Sequence, residues 1–175
     1  PLLPHIKLEM GYRGGESPNE LRPIQSYVGK QLETAGKREL AEDVRAVEVP
    51  VLDIRRTFVE KLFAIHSVFT KGEVKKYFRH YYDVYKLLGL ERVYGFIGHT
   101  EFEDLKTHVA EMCREFPKTQ LPDDLDFSRS LAFKHEPSLT KILTEALKEQ
   151  RGLFFVAPPT ADEIMARISS RIFKS

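Results

Sequence analysis

Apolar and polar positions alternate in two short stretches near the start of the chain. Ile6, Leu8, Met10 and Tyr12 alternate with Lys7, Glu9, Gly11 and Arg13, and Val47, Val49 and Val51 alternate with Glu48 and Pro50. A period of two marks a strand with one buried face, so a strand is expected in each place. Pro50 cannot donate to a ladder, which puts the second strand at an edge or an end. Gly14-Gly15-Glu16-Ser17-Pro18 breaks the first. Between them, residues 24–28 fit either a short strand or the start of a helix, and residues 31–43 are polar and helical in part. Two or three strands are not stable unless something covers them, so the sheet reads as incomplete.

From residue 53 onward the periodicity is helical. Asp53 is placed to cap a helix over residues 54–70, which Gly72 ends. A second helix is expected over about residues 74–88, stopping near Gly89. Thr100 with Glu103 has the capping-box spacing for a third, which must stop before Pro117. Residues 122–127 read as an acidic, solvated loop. A fourth helix covers residues 138–150, closed by Gly152, and Thr160 with Glu163 caps a fifth that runs to about residue 173. The class is α+β, with part of a sheet domain in residues 1–52 and a helical domain in residues 53–175.

Composition changes this picture little. The chain has 175 residues, 42 % hydrophobic and 30 % charged, so it can bury a core of its own. Its formal net charge of +1 favours no class of partner. Nucleotide or nucleic-acid binding would therefore rest on local clusters such as Lys71, Lys75, Lys76 and Arg79. A single cysteine, Cys113, excludes an internal disulfide and a cysteine-based zinc site, which suits a reducing cytoplasm. No apolar run approaches the roughly 18 residues of a membrane span. The chain begins at Pro1 and enters its first alternating stretch at once, so it reads as a fragment.

The candidate chemistry sits on the first two expected helices. At about 100° per residue, Phe58, Leu62, Ile65 and Phe69 share one arc, and Ala64 and Val68 continue it past Lys61. Lys61 thus lies within the apolar stripe, where its ammonium either snorkels to an edge or meets an anion. Glu60 is a solvated residue or a partner for Arg56, and His66 reads as a packed histidine. On the next helix Tyr77, Tyr81, Val84, Tyr85 and Leu88 form the apolar face. Asp83 lies off that face beside Lys76, Arg79, His80 and Lys86. It is either half of an i,i+4 pair with Arg79 or a carboxylate available to orient a lysine, a water or a metal. Glu9 is either a solvated strand residue or one carboxylate of a metal-binding cluster.

Arg56-Thr57-Phe58-Val59-Glu60-Lys61 followed by His66, and then Arg79-His80-Tyr81-Tyr82-Asp83, resemble the AbiEii/AbiGii toxin family. These are nucleotidyltransferases of bacterial toxin–antitoxin and phage-defence systems. Residues 5–18, with Ile6-Lys7-Leu8-Glu9 and Gly14-Gly15, are similar to the family's strand and following loop. The likeness covers about residues 1–90 and is weak beyond them. It implies a nucleotidyltransferase sheet domain followed by helices, and transfer of a nucleoside monophosphate from an NTP to an acceptor, such as tRNA or another RNA, with Mg²⁺. A cognate antitoxin is the implied protein partner.

Carried over by residue, Lys61 would contact the nucleotide phosphates, Asp83 would be the helical catalytic aspartate, and Glu9 a strand carboxylate near the metal. Arg79 would be a supporting basic residue, and Arg56 joins it as a phosphate-binding candidate. The family also places a glycine turn and an Asp-x-Asp pair upstream of the strand that carries Glu9. Gly14-Gly15 has no such pair nearby, and Asp124-Leu125-Asp126 sits in a late loop with no glycine turn before it. The chain is therefore expected to supply half of an active site, and without the missing pair it should not transfer a nucleotide. The alternative is a non-catalytic helical module that binds nucleic acid or a protein partner.

Overall fold

The computed structural model describes residues 17–40, 45–115 and 119–172. It divides into two compact units, one within residues 16–53 and one containing residues 54–175.

In the smaller unit, β1 (Asn19–Ile24) pairs antiparallel with β2 (Val47–Leu52), and α1 (Tyr27–Thr34) lies between them in sequence. Ile24, Arg22 and Glu20 stand opposite Val47, Val49 and Val51, so the three alternating valines of β2 share one face of the pair. Each strand of a two-stranded sheet is an edge, the setting that tolerates Pro23 and Pro50. Residues 24–28 turn out to hold both of their expected alternatives. The strand ends at Ile24, and Ser26 then caps α1 by accepting from the Gly29 amide at 2.9 Å. The alternating stretch at residues 6–13 lies outside the described residues.

In the larger unit α2 (Ile54–Thr70) is the central element. Phe58, Val59, Leu62, Phe63, Ile65 and Val68 are all buried, more of its circumference than a single apolar arc covers. It packs against α3 (Arg79–Leu87), α4 (Glu91–Tyr94), α5 (Thr100–Arg114) and a short 3₁₀ turn, Leu131–Phe133. Phe63 meets Phe127 edge-on at 5.0 Å, and Phe127 meets Phe133 at 5.4 Å. The Tyr81 hydroxyl, buried among these elements, donates to the Ala132 carbonyl at 3.1 Å. Together α6 (Pro137–Glu149) and α7 (Ala161–Ile172) close the bundle, with α7 against α3. Seven helices and a two-stranded sheet among the described residues make the fold α+β.

Three expectations shift in detail. The second helix begins at Arg79, because Gly72, at φ +69°, ends α2 and residues 74–78 fold back through turns. Val74 and Phe78 in those turns are nonetheless core residues. Thr100 is the first residue of α5 and not its cap, since His99 holds that place. Glu103 instead pairs with the buried Lys106 at 2.8 Å, and Lys106 donates to the Leu125 carbonyl at 3.2 Å. That bond ties down the acidic loop, where Asp124 and Leu125 have positive φ and Phe127 is buried, so the loop is anchored, with Asp123 and Asp124 exposed.

The other capping box forms as expected. The Glu163 carboxylate accepts from the Thr160 amide at 2.7 Å, and the Glu163 amide donates to the Thr160 hydroxyl at 3.2 Å. Thr160→Ala removes one of the two reciprocal bonds and should lower the melting temperature by about 2–4 °C in a circular-dichroism melt.

Candidate active site

Lys61 lies midway along α2, on the strip it shares with Thr57 and Ala64, neither of them buried. Its side chain is 27 % exposed, and its Nζ stands 2.8 Å from Asp83 Oδ2 on α3. Its two expected fates coincide here, since the ammonium reaches a partly exposed edge and meets an anion there. Asp83 is 38 % exposed, and its pair runs across two helices and not along α3 to Arg79. The ammonium and the carboxylate are both held by packed helices, and both remain accessible to solvent.

A third group completes the cluster. His80 precedes Asp83 by one turn, and its Nδ1 lies 3.4 Å from Lys61 Nζ. Its ring is parallel to that of Tyr77, with 2° between the planes and 6.0 Å between centroids. An ammonium only donates, so Nδ1 is the acceptor and the neutral ring carries its proton on Nε2. Burial, helped by the nearby Lys61 and Arg79 cations and opposed by Asp83, lowers the His80 pKa from 6.5 to about 4.

The pH dependence follows from that sign. Between pH 6.5 and about 4 the unfolded chain binds more protons at position 80 than the folded one does, so stability falls as pH falls through this window. His66 acts in the same direction, its pKa lowered chiefly by burial. Thermal melts should therefore give a lower midpoint at pH 5 than at pH 7, and His80→Asn should flatten part of that slope.

The remaining candidates separate. Arg79 is exposed on α3 and close enough to His80 to act on its titration. Arg56 is 1 % exposed, its Nε donates to Glu60 Oε1 at 2.9 Å, and one terminal nitrogen lies 3.3 Å from Met112 Sδ on α5. In this arrangement its guanidinium faces protein groups. His66 Nδ1 is 2.8 Å from the Ser130 hydroxyl, which makes it a packed histidine. Glu9 lies outside the described residues. The structure thus brings Lys61 and Asp83 together with His80, which sequence reasoning left on a wet helical face, and leaves Arg79 within electrostatic reach of that ring.

The AbiEii family model, described as a nucleotidyl transferase AbiEii toxin of a type IV toxin–antitoxin system, matches residues 1–167. The chain belongs to the AbiEii family. No curated protein and no solved structure matches it. The family match extends well beyond residue 90, so α4 to α6 and most of α7 lie within it as well.

In this AbiEii chain no group of three or more His, Cys, Asp or Glu side chains could hold a metal ion among the described residues. Asp124 is exposed and paired loosely with Arg129, and Asp126 accepts from the Ser128 amide at 2.8 Å, an ordinary turn. The described residues do not fit the Mg²⁺ that the resemblance implies. None of the described helices is long and apolar enough to cross a membrane.

Proposed function

We propose that the Lys61–Asp83 pair is the phosphate-handling part of a nucleotidyltransferase site. In that reaction an acceptor hydroxyl attacks the α-phosphorus of an NTP. The new O–P bond forms as the bond from the α-phosphorus to the α–β bridging oxygen breaks; pyrophosphate leaves with that electron pair, and the hydroxyl proton passes to solvent. Lys61 offers a compact positive charge to phosphate oxygens, and Asp83 holds that charge in place. Arg79 adds positive charge near His80.

The observation that carries this reading is the 2.8 Å contact between an ammonium and a carboxylate on separate helices, both partly exposed, in a chain of the AbiEii family. A pair serving stability alone could sit anywhere on the surface. Here both residues fall in the two segments that resemble the family most. A nucleic-acid acceptor such as tRNA and a cognate antitoxin belong to the same proposal, as does a Mg²⁺ held by carboxylates outside the described residues.

The test is direct. The full-length protein, incubated with each α-³²P-labelled NTP, Mg²⁺ and total tRNA, should label RNA, and EDTA or Lys61→Ala should abolish the labelling. RNA that stays unlabelled under all four NTPs, while binding the protein in a gel shift, would favour a non-catalytic binding module instead.

A further inference from the structure

We infer that His80 is a positioning residue of this site, its imidazole accepting a hydrogen bond from the Lys61 ammonium at Nδ1 and thereby fixing where that ammonium points. The inference rests on the reading of Lys61 as the cation that meets phosphate. An ammonium has three donors on a flexible four-carbon stem. Asp83 takes one at 2.8 Å and His80 takes a second at 3.4 Å. Two fixed bonds to two points on one helix leave the third N–H with a defined direction. With Asp83 alone, the ammonium could swing around a single carboxylate.

The setting of the ring supports this role. Parallel packing against Tyr77 limits its tilt, and α3 holds it one turn from Asp83. The charged groups that bear on it are Lys61 from α2 and Arg79 and Asp83 from α3. A charged imidazolium would repel both cations, whereas burial together with those same cations keeps the ring neutral and able to accept.

Two substitutions separate acceptor from packing. His80→Phe keeps a flat ring against Tyr77 and removes the acceptor. His80→Asn places an amide oxygen close to the position of Nδ1. In steady-state transfer with labelled NTP, His80→Phe should raise the NTP KM about tenfold, the scale of one lost hydrogen bond to a charged group. His80→Asn should restore KM to within about threefold of the wild type on the same scale, with both melting temperatures close to the wild-type value. Equal KM values for all three proteins, or an Asn variant as impaired as the Phe variant, would overturn the inference.

A readout independent of transfer uses ¹⁵N–¹H correlation spectra of the histidine rings in the full-length protein. His80 should be the neutral Nε2–H tautomer at pH 6, and Lys61→Met should raise its titration midpoint. An Nδ1–H tautomer, or a midpoint indifferent to Lys61→Met, would refute the pairing. Transfer that survives Lys61→Met in a protein with the expected spectra would instead remove the proposed role of Lys61 and leave its contact with His80 standing.

Discussion

In the full-length protein, the double exchange Lys61→Asp with Asp83→Lys is expected to fold like the wild type and to transfer no nucleotide. Both side chains are partly exposed, at 27 % and 38 %, so their pairing contributes on the scale of a surface salt bridge, about 0.2–1 kcal/mol. Reversing the partners rebuilds an opposite-charge contact across the same two helices, and a melt should show a shift of a few degrees at most. Transfer depends on which helix holds the cation. In the exchanged protein the carboxylate on α2 repels phosphate, and the ammonium on α3 lies beside Arg79 and His80. Loss of a single well-placed charge-stabilising donor costs about 10²–10³ in kcat, so Lys61→Ala alone should reduce labelling by at least about 100-fold. An exchanged protein retaining more than about a tenth of wild-type transfer would show the pair to be a structural contact, since so small a loss is far below that range.

What could be read from the sequence depended on how far apart the interacting residues lie. Alternation made β2 legible from three valines, but β1, with the sequence Asn-Glu-Leu-Arg-Pro-Ile, carries no such pattern and is a strand only because β2 lies beside it. The same Thr-x-x-Glu signature formed a capping box at Thr160 and failed at Thr100. There the chain enters the helix one residue earlier, and Lys106 claims the carboxylate of Glu103. Periodicity could place Lys61 in an apolar stripe, whereas its partner stands 22 residues away on another helix. Asp83 rested almost wholly on the family resemblance, which gave no geometry. His80 went unread because a histidine flanked by Arg79 and Asp83 looks solvated until Tyr77 and Lys61 are packed around it.

Arg56→Ala is expected to be among the most destabilising substitutions in the protein, and to act on stability before activity. The Glu60 partner was legible at i,i+4, but the burial of Arg56 was not, because Met112 of α5 covers it from 56 residues away. Truncation removes one of the largest fully buried side chains in the chain and leaves a cavity beside Met112. Glu60 is 30 % exposed, so the orphaned carboxylate can recruit water and the penalty falls short of that for a fully buried pair. About 2–4 kcal/mol is the resulting expectation, a fall of roughly 5–15 °C in melting temperature. Arg56→Met fills most of the same volume and should cost about half as much, by analogy with other volume-conserving core changes. The Met variant also decides between the two roles open to this arginine. If the guanidinium serves the core, Arg56→Met at a temperature well below its melting point should transfer nucleotide with a near-wild-type NTP KM. A phosphate-binding arginine would give the opposite pattern, a modest change in melting temperature and a KM raised tenfold or more, as loss of a charge-assisted contact requires.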